Sequence, residues 1–207
     1  NINQSTAITC VKPSGTVSQL VDSASGIHAR HSEYYIRTVR GDNKDPMTMF
    51  LKSIGIPNEP QVDGNIESKD VSVFSFPIHS NRQSIFRNDM SAIEQLQIWK
   101  VYAEHWCEHK PSVTISVKED EWLPVGAWCW ENFDHLSGVS FLPSFDHSYI
   151  QAPYQEITRD KYMEARKAMP KKAIDWSLLS EFEKEDNTTG SQELACTAGV
   201  CELVDLI

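Results

Sequence analysis

Ser91-Ala-Ile-Glu-Gln-Leu-Gln-Ile-Trp-Lys-Val-Tyr-Ala-Glu-His-Trp106, followed after a short gap by Ser112-Val-Thr-Ile-Ser-Val117, decides the fold class. In the first stretch Ile93, Leu96, Trp99, Tyr102, Ala103 and Trp106 recur at steps of three and four residues, which places them on one helical face. In the second the side chains alternate and are β-branched, the pattern of a strand. The same switch of period repeats downstream, with a helix over 121–133 that tolerates Pro124 in its first turn and a strand over 138–142. Strands alternating with helices point to an α/β architecture.

On either side of this region the signals are shorter. Ala7-Ile-Thr-Cys-Val11 reads as a strand, then Lys12-Pro-Ser-Gly-Thr-Val-Ser-Gln-Leu20 as a tight turn and a helix start. A helix over 47–54 stops at Gly55, and Ile56-Pro-Asn-Glu-Pro60 reads as a rigid extended loop. Residues 70–78 alternate as a strand that stops near Pro77. Polar helices are expected over 158–169 and 175–184, separated by Pro170. Beyond Glu185 the composition becomes that of a linker, leading to Cys196-Thr-Ala-Gly-Val-Cys201. No internal repeat occurs.

Composition bounds the function. With 207 residues, 40% hydrophobic content and six Trp, the chain has the material for a real core. A formal net charge of −10 opposes binding to nucleic-acid phosphate or an anionic membrane, and no apolar run reaches the roughly 20 residues needed to span a bilayer. The five cysteines are an odd number with no secretory leader ahead of them, so a soluble protein of the reducing cytoplasm is expected. The opening Asn1-Ile-Asn-Gln, without a Met and close to a strand, is expected to lie inside a fold, as in a fragment or one piece of a split protein.

Two places carry chemistry. Cys196 and Cys201, four residues apart among small residues on a tail, suit a thiol carrier that visits a buried disulfide and then an external reductant. Two solvent-facing thiols, or half of a zinc site, are the alternatives. Pro13-Ser-Gly-Thr-Val17 suits a polyphosphate, with backbone N–H groups at a helix start and the hydroxyls of Ser14 and Thr16, but it also fits an ordinary turn and lacks the Lys of a P-loop. No metal site is expected: His28, His31, His105 and His109 read as surface histidines, although His105 and His109 would share a helix face. Cys10, Cys107 and Cys129 read as buried small hydrophobes, and Trp122, Trp128 and Trp130 as packing residues.

Taken in order, the stretch from Ala7 to Ile27, Ser112–Val117, Gly138-Val-Ser-Phe-Leu-Pro143 with Gln151-Ala-Pro-Tyr154, and the Cys-x4-Cys tail resemble adenosylcobalamin-dependent (class II) ribonucleotide reductases, the triphosphate reductases most closely. The resemblance runs over essentially the whole chain. It implies the C-terminal part of a ten-stranded α/β barrel over residues 1–185 and a mobile redox-active tail over 186–207. It further implies that Ser14, Gly15, Thr16 and Val17 cradle the substrate phosphates, and that Cys196 and Cys201 exchange with an active-site disulfide and are reset by a thioredoxin-like partner. Adenosylcobalamin would be the cofactor and a ribonucleoside triphosphate the substrate. The radical-bearing Asn-Pro-Cys-Gly-Glu loop of that family does not occur in these residues, so the missing N-terminal part of the reductase is an expected partner and no turnover is expected from this polypeptide alone. A non-catalytic redox or nucleotide-binding module, or a reductase of another class acting on diphosphates, are the competing readings.

Overall fold

The structure, a computed structural model, describes residues 2–14, 17–80, 83–144 and 150–184. The chain divides into two units, Asn1–Tyr35 with His79–Ser148, and Ile36–Ile78 with Tyr149–Ile207.

The first unit is organised by α3 (Ala92–His105), β4 (Val113–Val117), α4 (Trp122–Glu131) and β5 (Val139–Pro143). Helix α3 starts where the sequence supplies a capping box: Ser91 Oγ accepts the Glu94 amide at 3.2 Å, and the Glu94 carboxylate accepts the Ser91 N–H at 2.7 Å. The Ser91 N–H, and then the Ser91 hydroxyl, donate to the Glu94 carboxylate and hold it below its ordinary range. Ala92, Leu96 and Trp99 on α3, Val113, Ile115 and Val117 on β4, and Val125 on α4 form one buried cluster. Strands β4 and β5 are parallel, with Val113 opposite Val139 and Val117 opposite Pro143. A parallel pair needs a crossover, and α4 lies between the two strands in sequence. The expected strand, helix and strand are therefore all present.

Three expectations in this unit need correction. Residues 7–11 form no ladder strand. They run beside 106–112, with His109 N–H donating to Thr9 O and Ser112 N–H to Val11 O, while the Glu108 carboxylate takes the Ile8 and Thr9 amides at 2.6 and 3.2 Å. A side chain thus occupies donors that a neighbouring strand would have used, and the same bonds lower the Glu108 pKa. The tryptophans are not uniformly core. Trp99 is fully buried and Trp128 partly so, but Leu123 and Trp130 on α4, and Phe133 just beyond its end, are 87%, 83% and 70% exposed. Cys10, Cys107 and Cys129 are half-buried rather than buried, although burial still raises the Cys129 thiol pKa.

The second unit contains most of β1 (Tyr34–Asp42), then α2 (Pro46–Ser53), β2 (Asn58–Asp63), β3 (Ile66–His79), β6 (Tyr154–Glu156) and α5 (Arg159–Ala168). Its sheet has the order β2-β3-β1-β6. Strands β2 and β3 form an antiparallel hairpin, Asn58 opposite Phe74 and Asp63 opposite Ile66, with an irregularity between Pro60 and Val62 where Pro60 has no N–H to give. Asp45 caps α2 by accepting the Met47 amide at 2.8 Å. Gly55 at φ +80° ends the helix as expected, with the Ile56 N–H returning to Leu51 O. Phe50, Ile56, Val73 and Phe74 are buried. The extended loop expected at 56–60 instead enters β2. The helix expected over 175–184 is a 3-10 segment, Trp176–Glu181, started by the Asp175 carboxylate accepting Ser177 N–H.

The fold is thus mixed helix and strand, and the described residues hold a four-stranded and a two-stranded sheet rather than a closed barrel. No helix among them is long and apolar enough to cross a membrane.

Candidate functional site

The turn at Pro13 begins a loop that runs to Arg30 and is fastened at several points. Short helix α1 (Val17–Leu20) follows it, and Ser14 caps that helix: its Oγ accepts the Ser18 amide at 2.9 Å, and its carbonyl accepts the Ser18 hydroxyl. The Ser14 N–H donates to Ser25 Oγ at 2.7 Å, and that hydroxyl donates back to Ser14 O at 2.8 Å. Ser14 therefore shapes the turn, with its own amide and hydroxyl occupied inside it. Val17 is 65% exposed at the start of α1. Gly15 and Thr16, between them, lie outside the described residues, as do Cys196 and Cys201.

Behind the turn, His28 uses both ring nitrogens. Nε2 accepts the Thr114 N–H at 2.9 Å, which requires the Nδ1–H tautomer, and Nδ1 lies 2.7 Å from Ser25 O as its donor. Lys12 Nζ donates to Lys110 O at 2.7 Å and Ser112 Oγ at 2.8 Å. Gly26, at φ +60°, packs against the Lys12 carbonyl, where a β-carbon would stand 2.9 Å from the oxygen. The largely buried Arg30 bonds the Asp22 carbonyl and, at 2.5 Å, its carboxylate.

The segment before the turn, the loop and helix α3 together close the edge of β4 that faces away from β5. An open strand edge presents unpaired amides. Here the Ser112 N–H goes to Val11 O, the Thr114 N–H to His28 Nε2, and the Ser116 N–H to Gln95 Oε1 at 3.2 Å. A backbone carbonyl, an imidazole and a side-chain amide thus cap successive edge positions. An open cleft of about 560 Å³ is lined by Asp22, His28, Arg30, Ile85, Met90 and Ile98 among others.

His28, expected as a surface histidine, is thus a half-buried bridge between Thr114 and Ser25. Ser25-Gly-Ile-His28 contains no motif that announces this role. His31 is also no surface histidine: burial, and then the charge of Arg87, lower its pKa to about 4. Helix α3 ends at His105, so His109 does not share its face. Among the described residues no group of three or more His, Cys, Asp or Glu side chains could hold a metal ion.

No family model matches the chain. Individual proteins do. A probable adenosylcobalamin-dependent ribonucleoside-triphosphate reductase of Dictyostelium discoideum is 33% identical over 158 residues, 74% of this chain and 20% of that protein. The adenosylcobalamin-dependent ribonucleoside-triphosphate reductases of Euglena gracilis and Lactobacillus acidophilus match 97% and 98% of this chain at 28% and 27% identity. The chain belongs to this reductase family. It spans 20–27% of the length of these relatives. The fold agrees: a crystal structure of a B-12 dependent (class II) ribonucleotide reductase aligns with a TM-score of 0.68, covering 84% of this chain and 24% of that one at 24% identity.

Proposed function

We propose that this chain is the C-terminal portion of an adenosylcobalamin-dependent ribonucleotide reductase that converts ribonucleoside triphosphates to deoxyribonucleotides in the cytoplasm. The observation that carries the reading is the sequence match along nearly the whole chain to reductases of that name. Residues 1–185 would complete the barrel and 186–207 would form the mobile redox-active tail. The exposed apolar stripe of Leu123, Trp130 and Phe133 supports a unit covered by further protein in the assembled enzyme.

In this reading Ser14, Gly15, Thr16 and Val17 form the phosphate cradle, with Ser14 setting the shape and the following residues facing the ligand. Backbone amides at a helix start suit phosphate on a chain whose net charge is −10, because they need no basic side chain. Cys196 and Cys201 reduce the active-site disulfide by thiol–disulfide exchange: two electrons and two protons pass to that disulfide, and the tail pair becomes a disulfide. A thioredoxin-like dithiol then reverses this and is itself oxidised.

Adenosylcobalamin supplies radical initiation when bound. The loop offers it no ligand, since both nitrogens of His28 are bonded and His31 is turned into the protein beside Ser32. The adenosylcobalamin dependence named for the relatives therefore belongs to the assembled enzyme in this reading.

Reconstitution tests this function. The chain combined with the N-terminal reductase part, adenosylcobalamin and a reductant should reduce a ribonucleoside triphosphate, and the chain without that part should not. Cys196→Ser with Cys201→Ser should abolish turnover driven by thioredoxin while sparing turnover driven by dithiothreitol, a dithiol small enough to reach a buried disulfide directly. Turnover by the 207-residue chain alone would overturn the proposal.

A further inference from the structure

We propose that His28, acting with Ser25, is a positioning residue that sets the phosphate turn against strand β4. The inference rests on the phosphate reading of that turn given above. A continuous series of bonds carries it. The Thr114 N–H donates to His28 Nε2, His28 Nδ1 donates to Ser25 O, the Ser25 hydroxyl both accepts from and donates to the backbone of Ser14, and Ser14 Oγ accepts the Ser18 amide in the first turn of α1.

The far end of this series is firm. Thr114 is flanked by Val113 and Ile115, which are 4% and 0% exposed, so its amide cannot drift without disturbing the core. The near end carries its own order, because Ser14 has its amide, hydroxyl and carbonyl all engaged. The imidazole is the rigid link between the two. A planar ring that accepts on one side and donates on the other fixes both a distance and a direction, which a flexible side chain with one polar end does not. Neither nitrogen is left for acid–base or ligand chemistry, so the role is one of placement.

The link acts on phosphates only, and this separates it from general structural support. In the intact reductase, affinity for a ribonucleoside triphosphate and for the matching unphosphorylated nucleoside should be measured side by side. His28→Ala should weaken triphosphate binding by roughly tenfold or more and leave nucleoside binding within about twofold, the scale expected from losing a bond that fixes a charged-ligand site. His28→Gln, whose Oε1 can still accept the Thr114 N–H, should recover most of the loss. His28→Asn, which reaches only the Ser25 side, should not. Ser25→Ala, a smaller change, should weaken triphosphate binding in the same selective way and serves if His28→Ala fails to fold.

Equal loss of nucleoside and triphosphate affinity in folded His28→Ala, or no advantage of Gln over Asn, would overturn the inference. Gly15→Val separates the two levels. If it abolishes triphosphate binding while both His28→Ala and Ser25→Ala are silent, the phosphate turn stands and the positioning role falls. If Gly15→Val is silent as well, both fall together.

Discussion

A β-carbon added at Gly138 tests the junction on which the first unit is built. Gly138 sits at φ +65° just before β5, and its carbonyl accepts the Val113 N–H that opens the parallel pair at 3.0 Å. Alanine there carries the left-handed backbone cost of about 1–2 kcal/mol. It also drives its β-carbon into the carbonyl oxygen of Pro111, a backbone atom that cannot rotate aside. That oxygen accepts the indole N–H of fully buried Trp99 at 3.2 Å, so moving it strands a buried donor at about 1–3 kcal/mol. The sum of about 2–5 kcal/mol is a large share of the 5–15 kcal/mol by which domains are stable. Gly55 is the control, because it has the same backbone requirement at φ +80° but nothing within 4 Å of an added β-carbon. Gly55→Ala should therefore show the backbone cost alone, about 1–2 kcal/mol. Amide hydrogen exchange resolves the two units. Gly138→Ala should lower protection of the β4 amides by about 30- to 4,000-fold and leave α2 unchanged, whereas Gly55→Ala should lower α2 by about 5- to 30-fold and leave β4 unchanged. If Gly138→Ala costs β4 no more than Gly55→Ala costs α2, the Pro111 contact is not what demands glycine.

The remaining expectations are more local. His31 should titrate near pH 4 rather than 6.5 by NMR, and because the unfolded state then binds the extra proton, the native state loses about 3 kcal/mol as pH falls from 6.5 through 4; a midpoint near 6.5 would contradict its burial. Mild oxidation should give an intramolecular Cys196–Cys201 disulfide, seen by mass spectrometry and removed by thioredoxin, and a dominant bridge to Cys10 or Cys129 would defeat the shuttle. Thr16→Ala should weaken nucleotide affinity by roughly 10- to 150-fold in calorimetry of the reconstituted enzyme, with Gly15→Val blocking it, and unchanged affinity in both variants would reduce Ser14–Val17 to an ordinary turn.

What could be read from the amino acids follows the kind of interaction that holds each part. The α3, β4, α4 and β5 series was legible because one apolar pattern at a time decides it: Leu96 and Trp99 at helical spacing meet Val113, Ile115 and Val117 at alternate positions. Strand β1 was not legible. Its buried residues are Tyr35 and Thr38, while Arg37 lies over the Tyr154 ring at 4.4 Å and Thr38 bonds the Ala152 and Pro153 carbonyls. Those partners are more than a hundred positions away, and no local window contains them. Gln151 makes the point most sharply: in the left-handed region at φ +58° and 7% exposed, its side-chain amide serves Val62, Glu59 and Pro60 at once.

The same distinction runs through the candidate site. Pro13-Ser-Gly-Thr-Val17 was visible because turn residues announce themselves in sequence, but what holds the turn in place was not. Burial of apolar area is non-directional and repeats with the period of the backbone, so it leaves a trace in any short window. A directional polar bond such as that from Thr114 to His28 depends on where two distant segments finally meet, and it leaves none. A lone histidine is therefore ambiguous until its partners are seen, and here the partners turn a residue that looked like surface into the brace of the turn. It follows that in this chain the turn-forming residues can be nominated from local sequence, whereas the residues that brace them are found only where tertiary polar bonds bring distant segments together.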